Sequence, residues 1–563
     1  MSEKRESWSG SMGFILAAAG SAVGLGNIWK FPYITGQNGG GAFVLVYLLC
    51  ILVIGLPVML CEITLGRHTQ RNPVGAFKAL APRNSRLAQW IGAGALLNGI
   101  FLVYFGRYGW AVLAILIGLA ILRYGWVVVG VMGVLAGFVI LAFYSVVAGW
   151  TIGYVVKAAA LQTGFTEVTQ ATDAFVAFVG NAGLAILCHA LFMGMCIGIV
   201  MLGVQKGIER ASKVLMPMLF LILGALIIRG LTLPGAMAGV RFYLSPDFSK
   251  ITAESVLTAL GHAFFSLSLG MGAIITYGSY VRKEENLFTA ALSITALDTL
   301  VALMAGLAIF PAVFAMGFEP SKGPGLVFMV LPVVFHRIPL GALWATLFFL
   351  LLLVAALTSG ISLLEVVTAY FVDERKWSRK KATCVFGGVI FALGCLCALS
   401  CDKGITGWRG LHWLESSLKF CFGSAPGCFF DLCDHLASNW MLPLGGMFCA
   451  LFVGWIWGTK KALKEIRQSA ENLGQKRFFA LDAVWSFFVR FVSPVAVLVM
   501  FMATMGWIDF SAKKEQQAET PPSEQVQPTV AEMPNPEPVQ PVEAEVPEPD
   551  ASQSKTTPSG DRP

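Results

Sequence analysis

Two short runs rich in glycine and serine interrupt long apolar stretches of this sequence, GSAVGLGN at residues 20–27 and SLSLGMG at residues 266–272. Glycine costs about 1 kcal/mol relative to alanine inside a helix, so each run is predicted to break its helix and to leave backbone carbonyls without helical partners. These carbonyls, with the Asn27 amide and the Ser266 and Ser268 hydroxyls, are the neutral oxygen ligands that suit a hard cation such as sodium. The N-terminus of a half-helix after a break also presents amides to a carboxylate.

Polar side chains in other apolar stretches could complete such a site. Asp298 lies in the apolar run 290–309, where an ionisable group is a functional-site hypothesis because an uncompensated charge is costly. A nearby cation would compensate this charge; the alternative is a protonated carboxyl bonded to a neighbouring helix. Thr358 and Ser359 offer adjacent hydroxyls for a second oxygen cage, whereas Glu62 is predicted to be a structural hydrogen-bonding residue.

These residues also have purely structural interpretations. Membrane glycines commonly serve close helix packing, and a serine in a helix commonly bonds to its own backbone. Two breaks at corresponding places in the two halves of the chain favour the functional interpretation, because such pairs mark binding sites near the membrane midplane. An enzyme is not expected, since the spans contain no HExxH, GxSxG or paired catalytic carboxylates and the histidines have no metal-ligand spacing.

The elements that must position these groups are membrane helices. The 563 residues are 56% hydrophobic and 13% charged, the mean hydropathy is +0.71, and apolar runs long enough to cross a hydrocarbon core of roughly 30 Å recur along the chain. Nucleic acid is not expected as a partner, because the net charge of +7 is concentrated in loops. The predicted spans are residues 12–34, 41–66, 126–158, 183–204, 209–231, 254–281, 287–317, 340–372, 382–400, 439–459 and 485–508.

The basic residues predict the orientation. Clusters of lysine and arginine fall on every second loop, while residues 160–182 and 319–339 are poor in both. The positive-inside rule therefore places the N-terminus in the cytoplasm of a multi-pass protein of the plasma membrane, which in bacteria is the inner membrane.

Two regions and one cysteine cluster stand outside this regular pattern. Residues 90–123 form an extra apolar hairpin that is either re-entrant or a pair of spans, with both ends on the same side. Residues 509–563 are rich in proline and glutamate and are predicted to be a disordered tail. A disulfide is possible, though not assignable from spacing, among Cys401, Cys421, Cys428 and Cys433.

At these motifs the chain resembles the neurotransmitter:sodium symporter family, and its bacterial amino-acid transporters in particular. The similar stretches are GSAVGLGNIWKFP, NGGGAF and GLPVMLCEITLGR within residues 8–66, FYSVVAGW at 143–150, GHAFFSLSLGMGAIITYGSYVRK at 261–283 and AALTSG at 355–360. They occur in the family's order and cover most of residues 5–508, but not 90–123 or the tail.

The resemblance implies an all-α polytopic membrane protein with an inverted repeat of five plus five helices, two of them broken, and about eleven family spans plus the extra hairpin. Residues 1–508 would form the symporter domain. Within it, repeat one would occupy about 12–231, repeat two about 254–459, and an extra span 485–508. The resemblance further implies that the two broken helices and their partners form a bundle that rocks against the remaining helices.

The resemblance also implies a set of binding residues. The substrate would contact Ala22, Leu25, Gly26, Ile140, Tyr144, Phe264, Phe265, Ser266, Ser268, Met271, Ser359 and Leu363. One sodium ion would be held by Ala22, Asn27, Ser266 and Asp298. A second would be held by Gly20, Val23, Ala355, Thr358 and Ser359. The implied gates are Lys30 with Asp434 on the outside and Arg5 with Asp373, near Trp8, on the inside.

Departures from the family pattern refine the expected function. Animal members bind chloride and carry an asparagine where Asp298 stands; here Tyr47 is kept, but His262 and Ala302 occupy other positions of that pocket. A fixed carboxylate could replace the chloride charge, so chloride-independent transport is predicted. Met271 stands where many relatives carry an aromatic residue, which predicts room for bulky substrates.

The predicted function is sodium-coupled symport of a neutral hydrophobic or aromatic amino acid into the cell by alternating access, with two sodium ions and no chloride. Because Lys30 replaces the usual arginine and cannot form the same bidentate pair, the outer gate is expected to be looser. The alternative is a non-transporting membrane sensor that binds an amino acid. The particular amino acid, the ion stoichiometry, the oligomeric state and the role of the tail are not determined by the sequence.

Overall fold

The computed structural model describes residues 6–82, 85–104, 108–318, 325–400, 428–472, 482–504 and 508. Within these ranges the chain is almost entirely helical, and the only β-type pairing is an isolated bridge between Gly40 and Pro246. Ten of the described helices are long and apolar enough to cross a membrane, and the number becomes eleven when one bent pair counts as a span. The predicted all-helical polytopic architecture is confirmed.

The helices are numbered here in chain order. They are α1 Ser11–Ala22, α2 Gly26–Gln37, α3 Gly41–Thr69, α4 Pro73–Leu80, α5 Arg86–Tyr104, α6 Tyr108–Tyr124, α7 Val127–Ala159, α8 Val168–Val179, α9 Ala182–Met201, α10 Val204–Leu231, α11 Ala236–Leu244, α12 Ala253–Ser266, α13 Ala273–Gly278, α14 Leu287–Ala315, α15 Leu326–His336, α16 Gly341–Arg375, α17 Arg379–Ser400, α18 Phe429–Arg467 and α19 Asp482–Thr504.

Both predicted helix breaks are present. The first separates α1 from α2, whose axes differ by 49°. The second separates α12 from α13, and there Ser268, Gly270 and Gly272 have φ values of 54°, 79° and 75°. The left-handed backbone at the two glycines is a conformation that side chains rarely adopt. At Gly270 a Cβ would also lie 2.9 Å from the Gly446 nitrogen of α18, so glycine is required for both the turn and the close approach.

The extra apolar region folds as two antiparallel helices, α5 and α6, of 19 and 17 residues. Their backbones approach closely at small residues. A Cβ at Gly92 would lie 3.1 Å from the Gly118 carbonyl oxygen, and one at Gly99 would lie 3.0 Å from that of Ala111. At about 1.5 Å per residue the helices are roughly 25–28 Å long. Residues Arg86–Val103 of α5 are one of the ten candidate spans, whereas Ala114–Tyr124 of α6 is only a shorter apolar helix.

The hairpin packs on the outside of the main bundle. At its tip, Leu102, Ala111 and Ala114 contact Trp440 of α18 and Phe501 of α19. At its base the Trp126 Nε1 donates to the Ser85 hydroxyl over 3.0 Å. Large apolar side chains of its outer surface are exposed, as expected for a lipid-facing surface; they include Trp90, Leu97, Ile100, Leu116 and Leu119.

The main bundle surrounds the broken helices. α7 and α16, long helices of 33 and 35 residues, pack against each other. α1 lies against α14 and α16, so the first break faces both of the helices that carry Asp298 and Thr358.

Several predicted features lie outside the described residues, namely Arg5, Cys401, Cys421 and the tail 509–563.

Candidate functional site

A buried polar cluster joins the first break, the second break and α14. The Asn27 amide nitrogen lies 2.8 Å from Asp298 Oδ1 and 3.0 Å from Ser266 Oγ. The Ser266 hydroxyl donates to Asp298 Oδ2 over 2.8 Å. Asn27 and Asp298 are 0% exposed and Ser266 is 1% exposed. Three of the four residues predicted for the first sodium site therefore touch one another.

The charge of this cluster favours a cation. Among the described residues, no lysine, arginine or histidine forms an ion pair with Asp298. A buried carboxylate without a basic partner needs compensation, and its donor set of carboxylate, hydroxyl and amide suits a hard ion. For Asn27 to offer its oxygen to an ion beside Asp298 and Ser266, the amide would have to turn, because its nitrogen now faces both residues and its Oδ1 accepts a 3.0 Å hydrogen bond from the Gly24 amide.

A second group of oxygens lies where α16 passes the first break. The Thr358 hydroxyl lies 2.9 Å from the Ala355 carbonyl oxygen and 3.4 Å from that of Val23. The Ser359 hydroxyl lies 3.2 Å from the Val23 carbonyl and 3.5 Å from the Gly20 carbonyl. All five residues predicted for the second sodium site thus come together, and their donors are neutral oxygens of the kind sodium accepts.

Between the two clusters lies a narrow, partly open cavity. Every residue predicted to contact the substrate lines it, except Phe264. Phe264 is 1% exposed and its ring faces Gly446 of α18, so it supports the second break from behind. The residue types alone did not distinguish Phe264 from Phe265 as the ring that faces the cavity, because the two phenylalanines are adjacent near the same helix end.

Three cavity residues were not predicted, namely Ser21, Gly24 and Ser362. The Ser21 hydroxyl donates to the Ser362 hydroxyl over 2.7 Å, and Ser362 in turn donates to the Ser359 carbonyl over 2.8 Å. Ser362 follows the recognised Thr358–Ser359 pair by one helical turn, a spacing that places it on the same face of α16. That spacing was the available signal.

The cavity has a polar end and an apolar wall. At the polar end the Leu25 amide donates to the Tyr144 hydroxyl over 3.2 Å, so donors from the first break and from α7 converge where a carboxylate could bind. The apolar wall is formed by Ile140, Phe265, Met271 and Leu363. A cavity with a few polar groups at one end and apolar side chains along its wall fits a zwitterion with an apolar side chain.

The two residues predicted to form the outer gate are not paired in this conformation. The Lys30 Nζ lies 5.0 Å from the centre of the Phe265 ring, and the Asp434 carboxylate accepts a 2.7 Å hydrogen bond from Ser438. Within the described part of the chain, Lys30 and Asp434 form no ion pair. Phe265 also covers Gly26, since a Cβ there would lie 3.1 Å from its ring. Phe265 therefore lies between Lys30 and the cavity.

The opposite end of the cavity is closed by packing around Trp8. Its Nε1 donates to the Tyr277 carbonyl over 3.0 Å, and the ring is 1% exposed against Phe14, Tyr277 and Tyr280. Asp373, the described member of the predicted inner gate, accepts hydrogen bonds from the Asn72 backbone amide (3.0 Å) and side-chain amide (3.2 Å). This end is therefore shut.

The pocket beside Ser266 contains Tyr47 and His262. The Tyr47 hydroxyl donates to Ser266 Oγ over 3.1 Å, and the His262 ring stacks on Phe31 with ring centres 5.7 Å apart. Glu62 accepts a 2.8 Å hydrogen bond from the Gly270 amide, which agrees with the predicted structural role of this glutamate. Glu62 thus anchors the second break to α3.

A family model matches most of this chain. The model described as "Sodium:neurotransmitter symporter family" matches residues 5–118 and 170–524. The chain belongs to the sodium:neurotransmitter symporter family. The predicted resemblance is confirmed, and this symporter is a multi-pass membrane protein with sodium-coupled transport as its family activity.

Individual relatives agree with this assignment. The uncharacterized sodium-dependent transporter YhdH of Bacillus subtilis is 37% identical over 91% of this chain and 100% of its own length. An uncharacterized sodium-dependent transporter of Haemophilus influenzae is 34% identical over 89% of this chain and 99% of its own length. The crystal structure of MhsT in complex with L-phenylalanine is similar with a TM-score of 0.71 and 42% identity, covering 89% of this chain and 100% of MhsT.

Proposed function

We propose that this symporter imports a neutral hydrophobic or aromatic amino acid together with two sodium ions, without a requirement for chloride. The observation that carries the proposal is the cavity lined by Ala22 and Ser266, because Ser266 also belongs to the Asn27–Asp298 cluster. A ligand in this cavity would lie directly beside the proposed first ion.

The shared residues explain coupling. An amino acid whose carboxylate lies near Leu25, Gly26 and Tyr144 also lies beside Ala22 and Ser266, so the carboxylate can coordinate the first sodium ion. Each ligand then raises the affinity of the other by the same factor, as linkage requires. Sodium entering along the membrane potential supplies about 2.3 kcal/mol per charge per 100 mV.

The second sodium ion would stabilise a particular conformation. Its oxygens come from α16 and from the first break, namely the Thr358 and Ser359 hydroxyls and the carbonyls of Gly20, Val23 and Ala355. An ion there would bridge the broken helix to α16. We infer that loss of this ion frees α1 to move, which opens the inner side and releases the substrate.

The charge argument carries the proposed chloride independence. Two sodium ions and a zwitterion leave excess positive charge in a low-dielectric site. Asp298 places a carboxylate within hydrogen-bond distance of Asn27 and Ser266. A fixed negative charge at that position would provide the compensation that a chloride ion provides elsewhere.

The apolar wall carries the proposed substrate class. One wall of the cavity is formed by Ile140, Phe265, Met271 and Leu363. None of the residues that line the cavity carries a charged side chain. Methionine is flexible and can yield to rings of different size. The similar transporter MhsT was crystallised with L-phenylalanine, which supports the choice of an aromatic or large aliphatic amino acid.

Alternating access would use the two gates. In the conformation described, Trp8 closes the inner side, and Phe265 and Lys30 lie over the cavity on the outer side. We propose that Lys30 approaches Asp434 when the outer side closes, and that Arg5 separates from Asp373 when the inner side opens.

Uptake of an amino-acid panel into proteoliposomes tests the proposal. With an inward sodium gradient and gluconate as the only anion, we expect saturable uptake of phenylalanine, tryptophan, tyrosine or leucine, and little uptake of glycine, lysine or glutamate. Preference for glycine or a charged amino acid would contradict the substrate class. Sodium-dependent binding without uptake would indicate the sensor instead.

A further inference from the structure

A second cavity lies between the extra hairpin and the main bundle, away from the transport site. It is a narrow, partly open groove, and its walls are entirely apolar. The hairpin contributes Ala88, Ile117 and Ile121, α7 contributes Val129 and Met132, and α18 contributes Leu444 and Phe448. An entirely apolar groove between helices of a membrane protein favours a hydrocarbon chain as its occupant.

Two arginines lie at one end of this cavity. Arg86 is two residues before Ala88 at the start of α5, and Arg123 lies between the wall residues Ile121 and Gly125 near the end of α6. The close contacts of Gly92 with Gly118 and of Gly99 with Ala111 set the antiparallel register. This register places Arg86 and Arg123 at the same end of the hairpin.

Both arginines are available for an anion. Their side chains are exposed, and neither forms an ion pair with another described residue. The hairpin base joins α4 and α7, so its arginines lie on the face of the membrane that carries Arg71 and Lys78. The positive-inside rule predicts that this is the cytoplasmic face, where anionic lipids attract basic side chains.

We propose that this cavity is a binding site for an anionic phospholipid. One acyl chain occupies the apolar cavity between α5, α6, α7 and α18, and the phosphate headgroup interacts with Arg86 and Arg123. The lipid fills a gap that the hairpin leaves against the main bundle, and it links the hairpin to α7, the helix that also carries Tyr144 of the transport site.

Native mass spectrometry of the purified full-length protein in detergent tests this site by titration with palmitoyl-oleoyl phosphatidylglycerol or phosphatidylcholine. We expect one phosphatidylglycerol molecule to bind roughly tenfold more tightly than phosphatidylcholine, because its anionic headgroup can interact with both arginines. The double variant Arg86→Gln and Arg123→Gln should lose this preference. Ile117→Trp and Ala88→Phe, which fill the cavity, should weaken binding of both lipids.

A matched control separates this site from general attraction of lipid to basic residues. The double variant Arg375→Gln and Lys380→Gln removes two exposed charges from the α16–α17 turn and should keep the preference. Inorganic phosphate at millimolar concentration should not displace the lipid, because it lacks the acyl chain. Equal binding of the two lipids to the unaltered protein, or unchanged binding to both the arginine and the cavity-filling variants, would overturn the proposal.

Discussion

Asp298 is the residue on which the charge balance of the transport site depends. Its carboxylate is fully buried and bonded only to neutral partners, namely Asn27 and Ser266. Asp298→Asn keeps the side-chain size and removes the charge, so uptake without chloride should fall at least tenfold and chloride should restore part of it. Uptake in chloride and in gluconate media measures this. The exposed Asp247→Asn is the control and should transport normally. Full activity of Asp298→Asn in gluconate would refute the charge argument.

Thr358 tests the second ion site. Its hydroxyl reaches the carbonyls of Ala355 and Val23, so it can serve as an ion ligand between α16 and the first break. Thr358→Val preserves the shape and removes the oxygen, and we expect the sodium concentration for half-maximal uptake to rise roughly tenfold, the equivalent of 1.4 kcal/mol.

The matched control for Thr358 is on the same helix. Thr346 bonds only to the Ala342 carbonyl of its own helix, over 2.7 Å. Thr346→Val should leave the sodium dependence unchanged. If both valine variants behave alike, Thr358 is a structural residue and the second site is wrong.

Met271 tests the apolar wall. It is 4% exposed and lines the cavity opposite residues of α7 and α16. Met271→Phe introduces a rigid ring, so the KM for tryptophan should rise at least fivefold while the KM for leucine changes little, because the smaller side chain still fits. Competition of each amino acid against labelled leucine measures this difference. An equal change for both substrates would show that Met271 does not face the substrate side chain.

At the scale of elements, the glycine motifs allowed both helix breaks to be predicted from sequence. The positive φ angles at Gly270 and Gly272 show why glycine occurs there. The sequence left open whether the extra hairpin crosses the membrane, because two helices of 19 and 17 residues are near the minimum length for a full crossing. Its packing against Trp440 and Phe501 is a long-range contact that no local pattern reveals.

The hairpin is expected to depend on its glycine contacts. A Cβ at Gly99 would meet the Ala111 carbonyl oxygen at 3.0 Å, so Gly99→Val should push the helices apart and destabilise the protein by roughly 1–3 kcal/mol. Gly94 on the same helix has nothing within 4 Å of a Cβ, and Gly94→Val is the control. Thermal unfolding in detergent should show a lower Tm for Gly99→Val only. Equal Tm values would mean that the two helices do not pack tightly through Gly99.

At the scale of the whole molecule, the site residues predicted from the family motifs converge on one place. Eleven of the twelve predicted substrate residues line one cavity, and both oxygen clusters adjoin it. The predicted Lys30–Asp434 pair belongs to the closed state of an outer gate, and such a pair forms in only part of a conformational cycle. Ser21 and Ser362 were missed because an isolated serine is more often bonded to its own helix.

The central claim is that sodium and an apolar amino acid bind side by side at the two helix breaks and cross the membrane together. Accumulation of labelled phenylalanine in proteoliposomes, measured with an inward sodium gradient and with an equal potassium gradient at the same membrane potential, tests it most directly. The account predicts accumulation above the external concentration with sodium and only background uptake with potassium. Equal accumulation in potassium would contradict it.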